Sequence, residues 1–224
     1  MKFFYPYHLV SISPWPLMLS INIMNLLMSI LYMFFNFKFI FIIINLLTMI
    51  IILFQWWRDM IRESTYMGDH SFKVWKGLRL GMIMFILSEI MFFSSIFWCY
   101  FHMFLSPSME LGMIWPPKMI LIFNPYYIPL LNTIILLSSG ISITWCHFSM
   151  INNKHNNMMN SMSITLILGT IFTMLQIKEY SDSFFCINDS IYGSIFFLST
   201  GFHGLHVLIG TFFIFICFLR MKMN

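Results

Sequence analysis

The chain has 224 residues, of which 59% are hydrophobic and only 9% charged, with a mean hydropathy of +0.83. Soluble domains carry about 25% charged residues, so a water-soluble globule of this size is excluded. The net charge of +4 is too small and too scattered for nucleic-acid binding. Cys99, Cys146, Cys186 and Cys217 form no CxxC pair and signal neither a disulfide framework nor a zinc site.

A helix rising 1.5 Å per residue needs about 20 apolar residues to cross a bilayer core. Six stretches qualify, over roughly 16–35, 39–57, 78–104, 127–148, 158–178 and 190–218. The chain thus reads as an all-α integral membrane protein, a single polytopic domain over 1–224 without internal repeats. The N-terminal MKFFYPYHLVSISPWP has one lysine and three prolines, unlike an Arg-rich transit peptide or a signal peptide. Only Asn36, Phe37 and Lys38 separate the first two spans, which predicts an antiparallel pair. Trp15, Trp56, Trp57, Trp115 and Trp145 fall at span edges, as an interfacial aromatic belt requires.

Six spans put both termini and the 58–77 and 149–157 loops on one side. That side collects Lys2, Arg58, Arg62, Lys73, Lys76, Arg79, Lys154, Arg220 and Lys222, against Lys38, Lys118 and Lys178 on the other. The imbalance makes the termini side the inside. Glu110, Glu179, Asp182 and Asp189 fall on the opposite side. The absence of alanine and the presence of only three valines fit an extremely AT-rich coding sequence, of which organelle genomes and AT-rich bacteria are sources.

Three features carry candidate chemistry. The second span ends abruptly in Gln55-Trp56-Trp57-Arg58-Asp59, followed by Arg62. At minimum this is an interfacial anchor; read functionally, Arg58, Arg62 and His70 beside Trp57 face lipid headgroups, for which arginine offers a planar pair of donors. Glu89 is the only carboxylate inside a predicted span, about 16 Å into the third by helical rise. A charge there costs several kcal/mol, so it is either a functional group or a structural one bonded to a neighbouring helix. His203 and His206 lie three residues apart in Gly201-Phe202-His203-Gly204-Leu205-His206, and are expected on one helical face. Metal binding wants three or four ligands, and His102 and His147 fall in opposite leaflets, so a polar interhelical contact is the better reading. The depths of His203 and His206 overlap that of Glu89, which makes one of them its expected partner.

The string QWWRDMIREST resembles cytochrome c oxidase subunit III. So do SPWPL, KGLRLGM, SEIMFF, PLLNT, SGISITW and YGSIFFLSTGFHGLHVLIG, which occur in that family's order from about His8 to Arg220. The resemblance implies a core subunit of the terminal oxidase in the mitochondrial inner membrane, multi-pass, with both termini of this chain in the matrix. It implies no catalytic residue, haem or copper in this chain, those centres belonging to other subunits. Its partners would be the other oxidase subunits, chiefly catalytic subunit I, together with phospholipids held in a cleft between the first two helices and the remaining bundle. By the family's pattern Trp57, Arg62, Glu63 and His70 form a headgroup site, Arg220 serves a second, anionic lipid, and Glu89 modulates proton uptake. Family members usually continue past the position of Arg220 into a seventh helix, which this sequence lacks. Two readings from other classes compete. A haem-binding cytochrome would want histidine pairs at matched depth on facing helices, and a small transporter using Glu89 would commonly show inverted repeats and broken helices.

Overall fold

A computed structural model describes residues 6–109 and 112–223. Lys2 and Glu110, which enter the charge comparison above, lie outside the described residues. The chain forms α1 (Trp15–Asn36), α2 (Ile40–Arg62), a π-helical turn (Glu63–Met67), α3 (Phe72–Leu105), α4 (Ile128–Ile151), α5 (His155–Ser181) and α6 (Ser190–Met223). Among the described residues, six helices are long and apolar enough to span a membrane, as expected. The chain divides into two compact units, Met1–Ser88 and Glu89–Asn224.

In the first unit α1 and α2 pack as the antiparallel pair that their short connection demands. Phe37 takes a left-handed conformation (φ 52°) and its N–H bonds Met33 O at 2.8 Å, which ends α1 sharply. The seam is polar: buried Asn22 donates to Thr48, and Asn45 Nδ2 donates to Asn25 O at 3.2 Å. Most large apolar side chains, Leu27 and Ile50 among them, face outward, while Ile52 is buried. This inversion follows from the solvent, because lipid tails are as apolar as leucine and offer no hydrophobic drive between helices.

The expected loop over 58–77 is mostly helical. Helix α2 continues through Arg62, the π-helical turn carries it to Met67, and α3 begins at Phe72, so only 68–71 are non-helical. Charged side chains in water do not oppose backbone hydrogen bonding. Ser64 and Thr65 both donate to Ile61 O, at 2.8 and 2.7 Å, where the helix widens. Gly68 (φ 68°) supplies the left-handed residue that stops it. At the start of α3, Arg79 stacks over the Trp75 ring at 3.6 Å.

In the second unit α4 and α5 pack most extensively, followed by α5 and α6. Small residues occupy the closest approaches: Cys146 and Ser149 on α4, Ser161 on α5. Gly169 of α5 meets Thr211 of α6, and a Cβ at Gly169 would fall inside contact distance of the threonine methyl. Further along this seam Tyr180 OH and Thr200 Oγ1 share a hydrogen bond of 2.8 Å. The segment joining α5 to α6 is pinned by buried Phe185, whose ring meets Phe123, Tyr192, Phe196 and Phe197.

Glu179, just past the fifth predicted span, is not free at the helix end: α5 runs on to Ser181 and buries Glu179 to 6% exposure against α4. Asn132 Nδ2 approaches its Oε2 at 3.4 Å. The helix extends beyond the apolar run because its backbone bonds do not depend on side-chain hydropathy.

Candidate functional site

Helix α3 places Glu89 midway along its length, about 25 Å from either end by helical rise, and α6 places His206 at its own midpoint. His206 Nε2 lies 2.6 Å from Glu89 Oε2, and its Nδ1 lies 2.6 Å from Phe202 O. Both groups are about one-third exposed on the surface of the chain. The imidazole also packs against Phe93 at 5.4 Å between centroids, while Phe92 meets Phe202 edge-on at 4.9 Å.

This geometry restricts where protons sit. A carbonyl oxygen only accepts, so Nδ1 must carry the hydrogen that bonds Phe202 O. With Nδ1–H committed, one proton remains for the Nε2···Oε2 contact. It rests on the carboxyl, which then donates to a neutral imidazole, or on Nε2, giving imidazolium and carboxylate. Both forms of the pair are neutral overall, which is what a hydrocarbon setting tolerates. The arrangement can hold a proton and pass it between the two atoms without changing net charge.

His203 is not part of this contact. Its ring stands edge-on to Phe172 of α5 at 5.6 Å. The expectation that both imidazoles share one face is corrected: three residues leave about 60° between side chains, enough for His203 to turn towards α5 while His206 turns towards α3. Among the described residues, no three His, Cys, Asp or Glu side chains come together as a metal-binding group.

The proposed headgroup residues gather only in part. Glu63 in the π-helical turn accepts from Ser11 Oγ at 2.7 Å and lies 3.4 Å from His8 Nε2. His70 meets the His8 ring edge-on at 5.3 Å, so Glu63 and His70 are joined through His8. Arg62 is exposed beside them and Trp57 half-buried one turn earlier. Arg220 is exposed near the end of α6, in the second unit. Sequence reasoning missed His8, Ser11 and Trp15, whose indole donates to Asp59 at 2.8 Å. The signal was the shared side of the membrane, which placed the N-terminal segment beside the end of α2.

The family model described as cytochrome c oxidase subunit III matches residues 5–224. The chain belongs to this family. It is 51% identical over 221 residues to cytochrome c oxidase subunit 3 of Drosophila melanogaster, covering 98% of this chain and 84% of the relative. To the subunit 3 of Heterololigo bleekeri it is 50% identical over 219 residues, with 98% and 85% covered. To that of Osphranter robustus it is 51% identical over 215 residues, with 96% and 82% covered. As a family member it is a membrane-embedded subunit of cytochrome c oxidase, and its partners are other subunits of that enzyme.

Proposed function

We propose that this chain is a cofactor-free structural and modulatory subunit, whose Glu89–His206 pair influences proton uptake by the oxidase while haem and copper reside elsewhere. The observation that carries this is the 2.6 Å contact between Nε2 and Oε2 with Nδ1 already bonded to Phe202 O. A carboxyl–imidazole pair at mid-helix, holding one transferable proton, suits proton handling and offers nothing to electron transfer. Catalytic subunit I is the partner that such a role requires. The mitochondrial inner membrane, with the matrix on the side of both termini, agrees with the excess of basic residues there.

The same reading assigns phospholipid headgroups to the end of α2. Arg62 offers an exposed cation there, flanked by Trp57. Glu63 and His70 support the site through His8 rather than meeting a headgroup directly. Arg220 would serve a separate, anionic lipid.

Glu89→Gln in the assembled oxidase tests the central claim. The glutamine amide donates to neutral Nε2 in place of the carboxyl but cannot release a proton. Assembly and oxygen reduction should persist, while proton uptake or the number of turnovers before inactivation should fall. Complete loss of oxygen reduction in a fully assembled variant would make Glu89 an essential acid and overturn the proposal, as would unchanged proton uptake and durability.

A further inference from the structure

Helices α4 and α5 hold a second buried carboxyl that the Glu89–His206 pair leaves unused. Glu179 is followed in α5 only by Tyr180 and Ser181, and Asn132 stands about 6 Å from the start of α4 by helical rise, so both lie just below the end that carries the α3–α4 and α5–α6 loops. Each is only 6% exposed. Among the described residues, Asn132 Nδ2 is the one hydrogen-bond partner of the carboxyl, at 3.4 Å, and Asn132 Oδ1 is buried with none. No charge compensates. Lys178 and Asp182 of α5 are exposed, Asp189 of the following loop accepts from the Cys186 N–H at 2.7 Å, and no charged group of α4 or α6 acts on Glu179. The helix dipoles offset one another, since the C-terminal end of α5 disfavours a negative charge and the N-terminal end of α4 favours one.

An ionised Glu179 fails twice in this setting. A buried charge without a cation or a full set of donors is strongly disfavoured, and a carboxylate, which only accepts, leaves Asn132 Oδ1 orphaned. One proton removes both faults. With the hydrogen on Oε1, the carboxyl donates to Oδ1 while Nδ2 donates to Oε2, and the two planar groups face each other through two bonds. The terminal torsions of asparagine and glutamate are broad, so closing the pair needs only a small turn of either group. Both buried polar groups are then satisfied without net charge.

We propose that Glu179 and Asn132 form a proton-operated latch between α4 and α5, closed while the carboxyl holds its proton and open once that proton passes to hydroxide in the water on the loop side. The open form carries a carboxylate that must reach water, and the nearby end of α5 gives it a short path. Tyr180 OH shares its 2.8 Å bond with Thr200 Oγ1, so α5 stays seated on α6 while its α4 side loosens. The loop-side end of the α4–α5 seam thereby responds to the pH of the water it faces. This latch stands or falls independently of the role given to Glu89.

The assembled, detergent-solubilised oxidase is compared with its Glu179→Gln form, whose amide pairs with Asn132 through the same two bonds but has no proton to lose. Infrared spectra at neutral pH should contain the carbonyl stretch of a protonated carboxyl that Glu179→Gln removes and Glu89→Gln does not. Hydrogen exchange in 128–136 and 176–181, corrected for the intrinsic pH dependence of amide exchange, is followed from neutral to alkaline pH. In the wild type it should accelerate by roughly tenfold, the scale of one buried hydrogen bond lost. In Glu179→Gln it should stay level, and segment 196–204 of α6 should keep its protection in both. Level exchange in the wild type would overturn the latch even where the variant fails to assemble. An equal acceleration in Glu179→Gln, or undiminished protonated-carboxyl intensity in that variant, would overturn it as well.

Discussion

Substituting leucine for His206 removes a 2.6 Å hydrogen bond and leaves the Glu89 carboxyl without its partner in the middle of a spanning helix. A hydrogen bond to a group that can be charged contributes about 1.5–3 kcal/mol, and an orphaned buried partner costs about 1–3 kcal/mol. Both groups are about one-third exposed on the chain, but the medium around mid-helix is hydrocarbon or another subunit, so little screening by water applies. His206→Leu should therefore destabilise the chain by about 2–4 kcal/mol, and Glu89→Leu by somewhat less, because an unpaired neutral imidazole costs less than a carboxyl. The double variant leaves neither group orphaned and should cost only about 1 kcal/mol in lost ring contacts. The resulting coupling, about 2 kcal/mol or more, corresponds to roughly a thirtyfold change in the unfolding equilibrium. Denaturant titration of the reconstituted chain, read by helix content and by protection of the cysteines, measures all four corners of the cycle. Additive single effects, with coupling below about 0.5 kcal/mol, would refute the claim that the two side chains depend on one another.

Other expectations concern packing and the headgroup end. Gly193→Ala should destabilise by about 1–3 kcal/mol, since its Cβ would fall inside contact distance of the Cys186 carbonyl. Gly140→Ala, with open space around it, should be tolerated in the isolated chain; equal melting temperatures for the two would contradict the packing described. Glu179→Ala leaves the buried Asn132 amide unpaired and should cost about 1–3 kcal/mol in thermal stability, whereas Glu179→Gln should cost less. Charge reversal at Arg62 or Arg220 should reduce the phospholipid that co-purifies with the oxidase, and unchanged lipid content would argue against headgroup binding there.

The spans were legible in the sequence because hydropathy over some 20 residues is a local property that the bilayer reads directly. The antiparallel start was equally legible, since a connection of Asn36, Phe37 and Lys38 allows no other geometry. Glu89 announced itself as the one carboxylate in a predicted span, and depth counting narrowed its partner to His203 or His206. Only the tertiary structure chose between them, because a 60° difference around α6 acquires meaning once α3 and α5 lie on its two sides. The burial of Glu179 and the closure of the N-terminal segment on Glu63 were likewise beyond hydropathy. Each depends on which polar groups meet across helices, and in a solvent as apolar as the side chains themselves those meetings are set by close packing and hydrogen-bond geometry rather than by composition.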